Sequence, residues 1–325
     1  MEHVEWNGFH FYDIIFPLFI FLAGVSMPFS FDKRIQNNEP KKGMYIHMAK
    51  RALTLIFFGL ITRGLLWHSW GEFGDKMGYS SVLGRIGLAW FFAAVIFLNT
   101  KPKGRIYWLL GILTGYWLVM MLVPVPGYGA GNFSHDGNLV GFIDRILIPG
   151  KLNEGTFDSE GLLSTIPAIA TALMGAVIGH LIKNIKQYSP QQKGLIIGGA
   201  GIICMLVGWL WGFAFPINKK LWTSSFVLYA GGLSMIFLSL FYLIIDVWKF
   251  QKWAFPFVVI GMNSITIYMV GRGIILFSST RDYFFWGAIK SAPETWQPLL
   301  NAIGFTLAAW TFLYFLYRKK IFLKV

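Results

Sequence analysis

Long apolar runs, broken by short polar stretches, set the pattern of this chain. Nine of them are long enough to read as membrane-crossing helices. They fall at roughly 12–31, 50–67, 81–99, 105–123, 161–182, 194–214, 223–245, 254–273 and 296–317. Pro17 and Pro167 stand early in their runs, where a missing N–H costs least. The longest polar segment, Pro124 to Glu160, is rich in Gly, Pro and Asn and reads as an irregular loop. Residues 274–295 are amphipathic and irregular. The pattern predicts an all-α, polytopic membrane helix bundle of about nine or ten helices. It is read as one integral-membrane domain over residues 1–325.

Composition agrees. The 325 residues are 55% hydrophobic and 13% charged, with a mean hydropathy of +0.57. Soluble domains carry about 25% charged residues. The net charge of +13 raises nucleic acid as a partner, but its distribution argues for loops on one membrane face. Alternate loops, starting at Asp32, hold 18 of the 28 Lys and Arg residues. By the positive-inside rule those loops and the C-terminus are cytoplasmic, and the end carrying His3 lies on the opposite side. The lone Cys204 sits in an apolar run, so neither a disulfide framework nor a cysteine metal site is expected.

Candidate chemistry gathers at the mouth of the first run. His3, Glu5, His10 and Asp13 lie within eleven residues. His3 and His10 read either as solvated interfacial side chains or as a general base or nucleophile. Asp13 reads either as a carboxylate meeting a helix dipole or as the group that orients an imidazole. Trp6, Asn7 and Gly8 form a turn or a sugar-stacking aromatic beside an amide. Arg85, inside the third run, is costly there unless it faces the bundle interior, so it is a functional candidate or half of a structural ion pair. Arg272 resembles it. Lys219 and Lys220, in a loop opposite the basic ones, suit a phosphate or bulk solvent. Asn263 and Ser264 read as helix–helix hydrogen-bond glue or as site residues. Asp144 and Arg145 read as a surface ion pair. No spacing suggests a metal site.

The same segments resemble the heparan-α-glucosaminide N-acetyltransferase family of membrane acetyltransferases and its bacterial relatives. The resemblance rests on His3-Val4-Glu5-Trp6-Asn7-Gly8 with Asp13-Ile14-Ile15-Phe16-Pro17, and on Val82-Leu83-Gly84-Arg85-Ile86-Gly87. Leu122 to Gly127, Gly141 to Arg145, Asp158 to Thr165, Pro216 to Trp222, Gly261 to Ser264 and Tyr317 to Phe322 continue it. It implies an acyltransferase moving an acetyl group from acetyl-CoA to an amino sugar or glycan acceptor on the non-cytoplasmic side. The family's active-site histidine maps onto His3, and Asp13 is expected to orient it. Arg85, Lys219, Arg272, Asn263 and Ser264 are the candidates for binding acetyl-CoA, with Arg85, Lys219 and Arg272 assigned to its phosphates. Trp6, Asn7 and Asp144 are the candidates for the acceptor. The lipid bilayer is the remaining partner, a homodimer is one admissible assembly, and neither nucleic acid nor metal is expected. A bacterial inner membrane is the expected location. Members of the family carry an earlier span before the histidine, so the chain is expected to be N-terminally incomplete and inactive alone. A transporter or flippase for a lipid-linked sugar or small anion is the competing reading.

Overall fold

The computed structural model describes residues 3–66, 78–271 and 275–323, and among these every regular element is a helix. Two compact units divide the chain, Met1–Val247 and Trp248–Val325. In the first unit a short 3-10 turn, Phe11–Ile14, leads into α1 (Ile15–Gln36). There follow α2 (Lys41–Leu60), α3 (Val82–Asn99), α4 (Pro102–Leu122) and the short α5 (Leu139–Leu147). The unit closes with α6 (Leu162–Asn184), α7 (Pro190–Trp211) and α8 (Ser224–Phe241). A π-helical turn extends α2 through Ile61–Leu65, and another extends α8 through Tyr242–Val247.

Eight helical stretches among the described residues are long and apolar enough to cross a membrane. The second starts at Lys41, nine residues before the predicted start. Lys41, Lys42, Lys50 and Arg51 ride on the helix instead of forming a loop, because long basic side chains can lie along apolar surface. Arg51 does so over the Trp90 ring, 4.2 Å from its centroid. The predicted span at 254–273 differs more. It is broken into α9 (Phe255–Met262) and α10 (Ser264–Met269) at Asn263, whose backbone (φ −130°, ψ 33°) leaves the helix.

Helix α6 is the centre of the first unit and packs on α1, α3 and α4. Small residues let the backbones approach. Gly175 and Gly179 of α6 face the carbonyls of Phe21 and Val25 on α1, and Gly24 of α1 faces Ala172, so a Cβ at any of the three would overlap backbone. Phe21, Phe31, Trp90, Phe97 and Trp222 fill the surrounding core. Caps fix the helix starts that matter below. Ser81 Oγ accepts the Gly84 N–H of α3, Asn138 Oδ1 accepts the Gly141 N–H of α5, and Thr223 accepts the Phe226 N–H of α8.

The second unit holds α9, α10, α11 (Phe277–Ser291) and α12 (Gln297–Arg318). Asn263, 2% exposed, donates from Nδ2 to the Ile321 carbonyl at 3.1 Å and accepts from the Leu323 N–H. The break in the apolar run therefore anchors the segment that follows α12.

Candidate active site

The segment 3–10 lies against the loop Pro216–Trp222. Two bonds tie them: Gly8 N–H donates to the Ile217 carbonyl at 2.8 Å, and Asn218 Nδ2 donates to Asn7 Oδ1 at 3.1 Å. Gly8 makes the approach at φ 120°, a conformation that side chains resist. Asn218 is fully buried and organises its own loop. Its N–H donates to Thr223 Oγ1 at 3.0 Å and its Oδ1 accepts from the Leu221 N–H at 2.9 Å. The loop closes on Trp222, 1% exposed and left-handed at φ 52°, whose ring packs edge-on against Phe16 and Phe226.

This stitching brings His3, Asp13 and Lys219 together. Asp13 begins the apolar helix and is 1% exposed. Its Oδ1 lies 2.6 Å from His3 Nδ1 and 3.1 Å from Lys219 Nζ, while Oδ2 accepts the His10 N–H at 2.9 Å. A carboxylate only accepts, so the proton of a neutral His3 ring sits on Nδ1 and the lone pair on Nε2. His3 is half exposed and its ring packs on Tyr12, 4.5 Å between centroids. Lys219 Nζ is also 2.9 Å from His3 Nδ1, as expected of two donors converging on one oxygen. Burial holds Lys219 below the ordinary lysine range, against the upward pull of Asp13.

Trp6 and Lys220, close in sequence to His3 and Lys219, join a second set of polar and aromatic side chains. Trp6 Nε1 donates to the Phe133 carbonyl at 2.9 Å, and its ring packs on His135 and edge-on to Phe157. His135 Nδ1 lies 2.8 Å from Asp136 Oδ1, and Thr156 Oγ1 lies 3.3 Å from each. Lys220 Nζ pairs with Glu154 Oε2 at 2.9 Å. His135, Thr156 and Glu154 escape the sequence reading. Their only signal is that a second His–Asp pair and an extra carboxylate share the segment 124–160 with the expected non-cytoplasmic face.

Arg85 is 1% exposed. Its Nη2 donates to Ser164 Oγ and to the Gly161 carbonyl, and its guanidinium lies over the Trp222 ring, 5.0 Å from the centroid. Glu160, also missed in sequence, is the carboxylate that acts on it most strongly. Burial pushes Glu160 up from the usual carboxylate range, despite Arg85 and Arg63 nearby. Arg63 bonds the Ser80 carbonyl through Nε and lies 3.7 Å from Glu160.

The other expected residues fall elsewhere. Asp144 is fully buried and accepts the N–H groups of Asp158 and Leu162, each at 3.2 Å, at the start of α6. Its burial pushes it up to about 6 even though those backbone bonds pull it down. Asn7 spends its Oδ1 on Asn218. Asn263 and Ser264 belong to the second unit, and Arg272 lies outside the described residues. Among the described residues no three His, Cys, Asp or Glu side chains converge as a metal site.

Comparison with known proteins adds a relationship to this geometry. Heparan-alpha-glucosaminide N-acetyltransferase of Homo sapiens is 30% identical over 380 aligned positions, which take in 100% of this chain and 56% of the relative. The Mus musculus protein of that name is 28% identical over the same shares. The chain thus spans little more than half the length of the relatives it matches. No family model matches it.

Proposed function

We propose, from the premise that this chain is related at family level to heparan-alpha-glucosaminide N-acetyltransferases, that it forms the membrane region of an acetyltransferase. The donor is acetyl-CoA. The acceptor is the amine or hydroxyl of an amino sugar or glycan on the non-cytoplasmic side. The observation that carries this reading is the 2.6 Å contact of half-exposed His3 with buried Asp13. It leaves Nε2 basic and holds the ring through Nδ1, the arrangement a histidine needs to act on a thioester or an amine.

Two routes use that one atom. In the first, Nε2 attacks the thioester carbonyl carbon, the C–S bond breaks and CoA leaves as its thiolate. The acetylated imidazole is then positive, and its Nδ1–H donates a hydrogen bond to the Asp13 carboxylate, which offsets that charge. The acceptor amine attacks the same carbon, the bond to Nε2 breaks, and the freed Nε2 lone pair takes the proton that the amine loses and passes it to solvent. In the second, Nε2 takes the proton from the acceptor, whose nitrogen or oxygen attacks the thioester carbonyl carbon directly; the C–S bond breaks and CoA leaves as its thiolate, which the imidazolium protonates. In both, Asp13 keeps the ring in one tautomer and stays ionised. Lys219, as a second donor to the same oxygen, supports the ionised form. The distribution of basic loops supports a cytoplasmic C-terminus.

The test is transfer of radiolabelled acetyl from acetyl-CoA to a panel of amino sugars, wild type against His3→Ala. We expect a loss of at least about 10²-fold. Transfer that survives the substitution would remove His3 from the mechanism. Label held on the protein without acceptor, and absent from His3→Ala, selects the first route.

A further inference from the structure

Two of the three guanidinium nitrogens of Arg85, Nε and Nη1, are buried and have no hydrogen-bond partner among the described residues. A buried charged donor left unpaired is costly, so these N–H groups call for an acceptor that comes from outside the chain. Space for one exists. A cleft of about 190 Å³ opens beside Arg85 between α2, α3 and α6. Ile56, Leu88 and Leu162 give it apolar walls, and Tyr79, Glu160 and Thr165 add polar groups. Whole drug-sized ligands occupy about 300–1,000 Å³, so this volume suits one segment of a larger molecule.

Charge decides which segment. Glu160, Asp158 and Asp144 already act on Arg85. Glu160 lines the cleft itself, so a phosphate placed there would face a carboxylate at close range. An uncharged carbonyl oxygen meets no such opposition. It accepts from Nε or Nη1 and brings no charge into a buried place. Glu160 and Thr165 then serve the N–H or hydroxyl groups of the same chain, and the apolar walls receive its methylene and methyl groups. A chain that alternates amides with short hydrocarbon stretches fits all three.

We propose that the Arg85 cleft binds the uncharged, amide-bearing pantetheine arm of acetyl-CoA, with an amide carbonyl on Nε or Nη1, and that the phosphates lie elsewhere. This rests on the reading that acetyl-CoA is the donor. It replaces the phosphate role expected of Arg85 from its charge alone.

The experiment measures binding of acetyl-CoA, pantetheine and adenosine 3′,5′-bisphosphate to the full chain. The proteins are wild type, Arg85→Gln and Leu88→Trp, the last narrowing the cleft with Arg85 in place. Thermal unfolding reports whether each variant is folded. Both variants should weaken acetyl-CoA and pantetheine roughly tenfold or more, and leave the bisphosphate within about twofold. Should Arg85→Gln fail to fold, Leu88→Trp carries the comparison. Loss of the bisphosphate with pantetheine retained would put a phosphate on Arg85 and overturn the proposal. Unchanged binding of all three would make Arg85 a purely structural residue and overturn it equally. Wild-type protein that binds no acetyl-CoA would remove the donor assignment, and the proposal with it. Intact acetyl-CoA binding without dependence on the cleft strikes the proposal alone.

Discussion

Asn218 Nδ2 donates to Asn7 Oδ1 at 3.1 Å, and this bond joins the segment that carries His3 to the loop that carries Lys219. Asn7 is exposed and its partner fully buried, so the two ends differ in what they support. Asn7→Ala should leave the fold intact and reduce acetyl transfer by roughly tenfold through looser placement of His3. Asn218→Ala should also lower the thermal midpoint, since it removes the acceptor of the Leu221 N–H. A double-mutant cycle on transfer rate checks the link. Additive effects would mean that the bond does not position His3.

Lys219 separates two readings by kinetics. Charge in a loop suggests a phosphate ligand, whereas the geometry puts Nζ 3.1 Å from Asp13. A partner of Asp13 acts on the reacting group, so Lys219→Met should lower kcat with the KM for acetyl-CoA nearly kept. A phosphate ligand would do the reverse. Lys219→Arg should restore part of kcat, as it keeps a donor and a charge near that oxygen. A rise in KM alone, with kcat unchanged, would return Lys219 to the donor's phosphates.

Asp144 gives a pH signature. Its folded value of about 6 lies above the ordinary aspartate value of 3.8, so the folded state holds the proton more tightly than the unfolded chain does. The stability that this contributes is fully present below about pH 4 and is lost as pH rises through 6. Two units of difference correspond to ~3 kcal/mol at most. Asp144→Asn cannot ionise, so the thermal midpoint of the wild type should fall relative to the variant between pH 4 and pH 6.5. Glu160, raised as well, titrates in both proteins and largely cancels in the difference. Parallel curves for the two proteins would show that Asp144 does not titrate in this window.

What was legible in the sequence follows from what is local. Apolar length found the helices that cross, and the cluster around His3 stood out because its members are neighbours. Asn263 shows the limit. Eight apolar residues precede it and the run resumes after it, so hydropathy reads straight through. The break comes from the Ile321 carbonyl and the Leu323 N–H, 58 and 60 positions away. Lys219 was read as a phosphate ligand because its true neighbour, Asp13, is 206 positions distant. Asp144 looked like half of a surface pair with Arg145. Its backbone partners at Asp158 and Leu162 emerge only when the segment 148–161 folds back on α5.

The wide separation of the groups that meet at Asp13 bears on how the protein is made. His3 and Lys219 are 216 positions apart, so the site is a contact of very high order. Loops that long close slowly, and only after the intervening helices have found one another. During synthesis the first helix enters the membrane with Asp13 and His3 unpartnered by Lys219 until the ribosome has passed residue 222. A buried carboxylate at the head of an apolar helix therefore waits, through the insertion of five further spans, for its cation. Chains stalled or cleaved within α7 would hold α1 to α6 and lack Lys219, and so would present no assembled site.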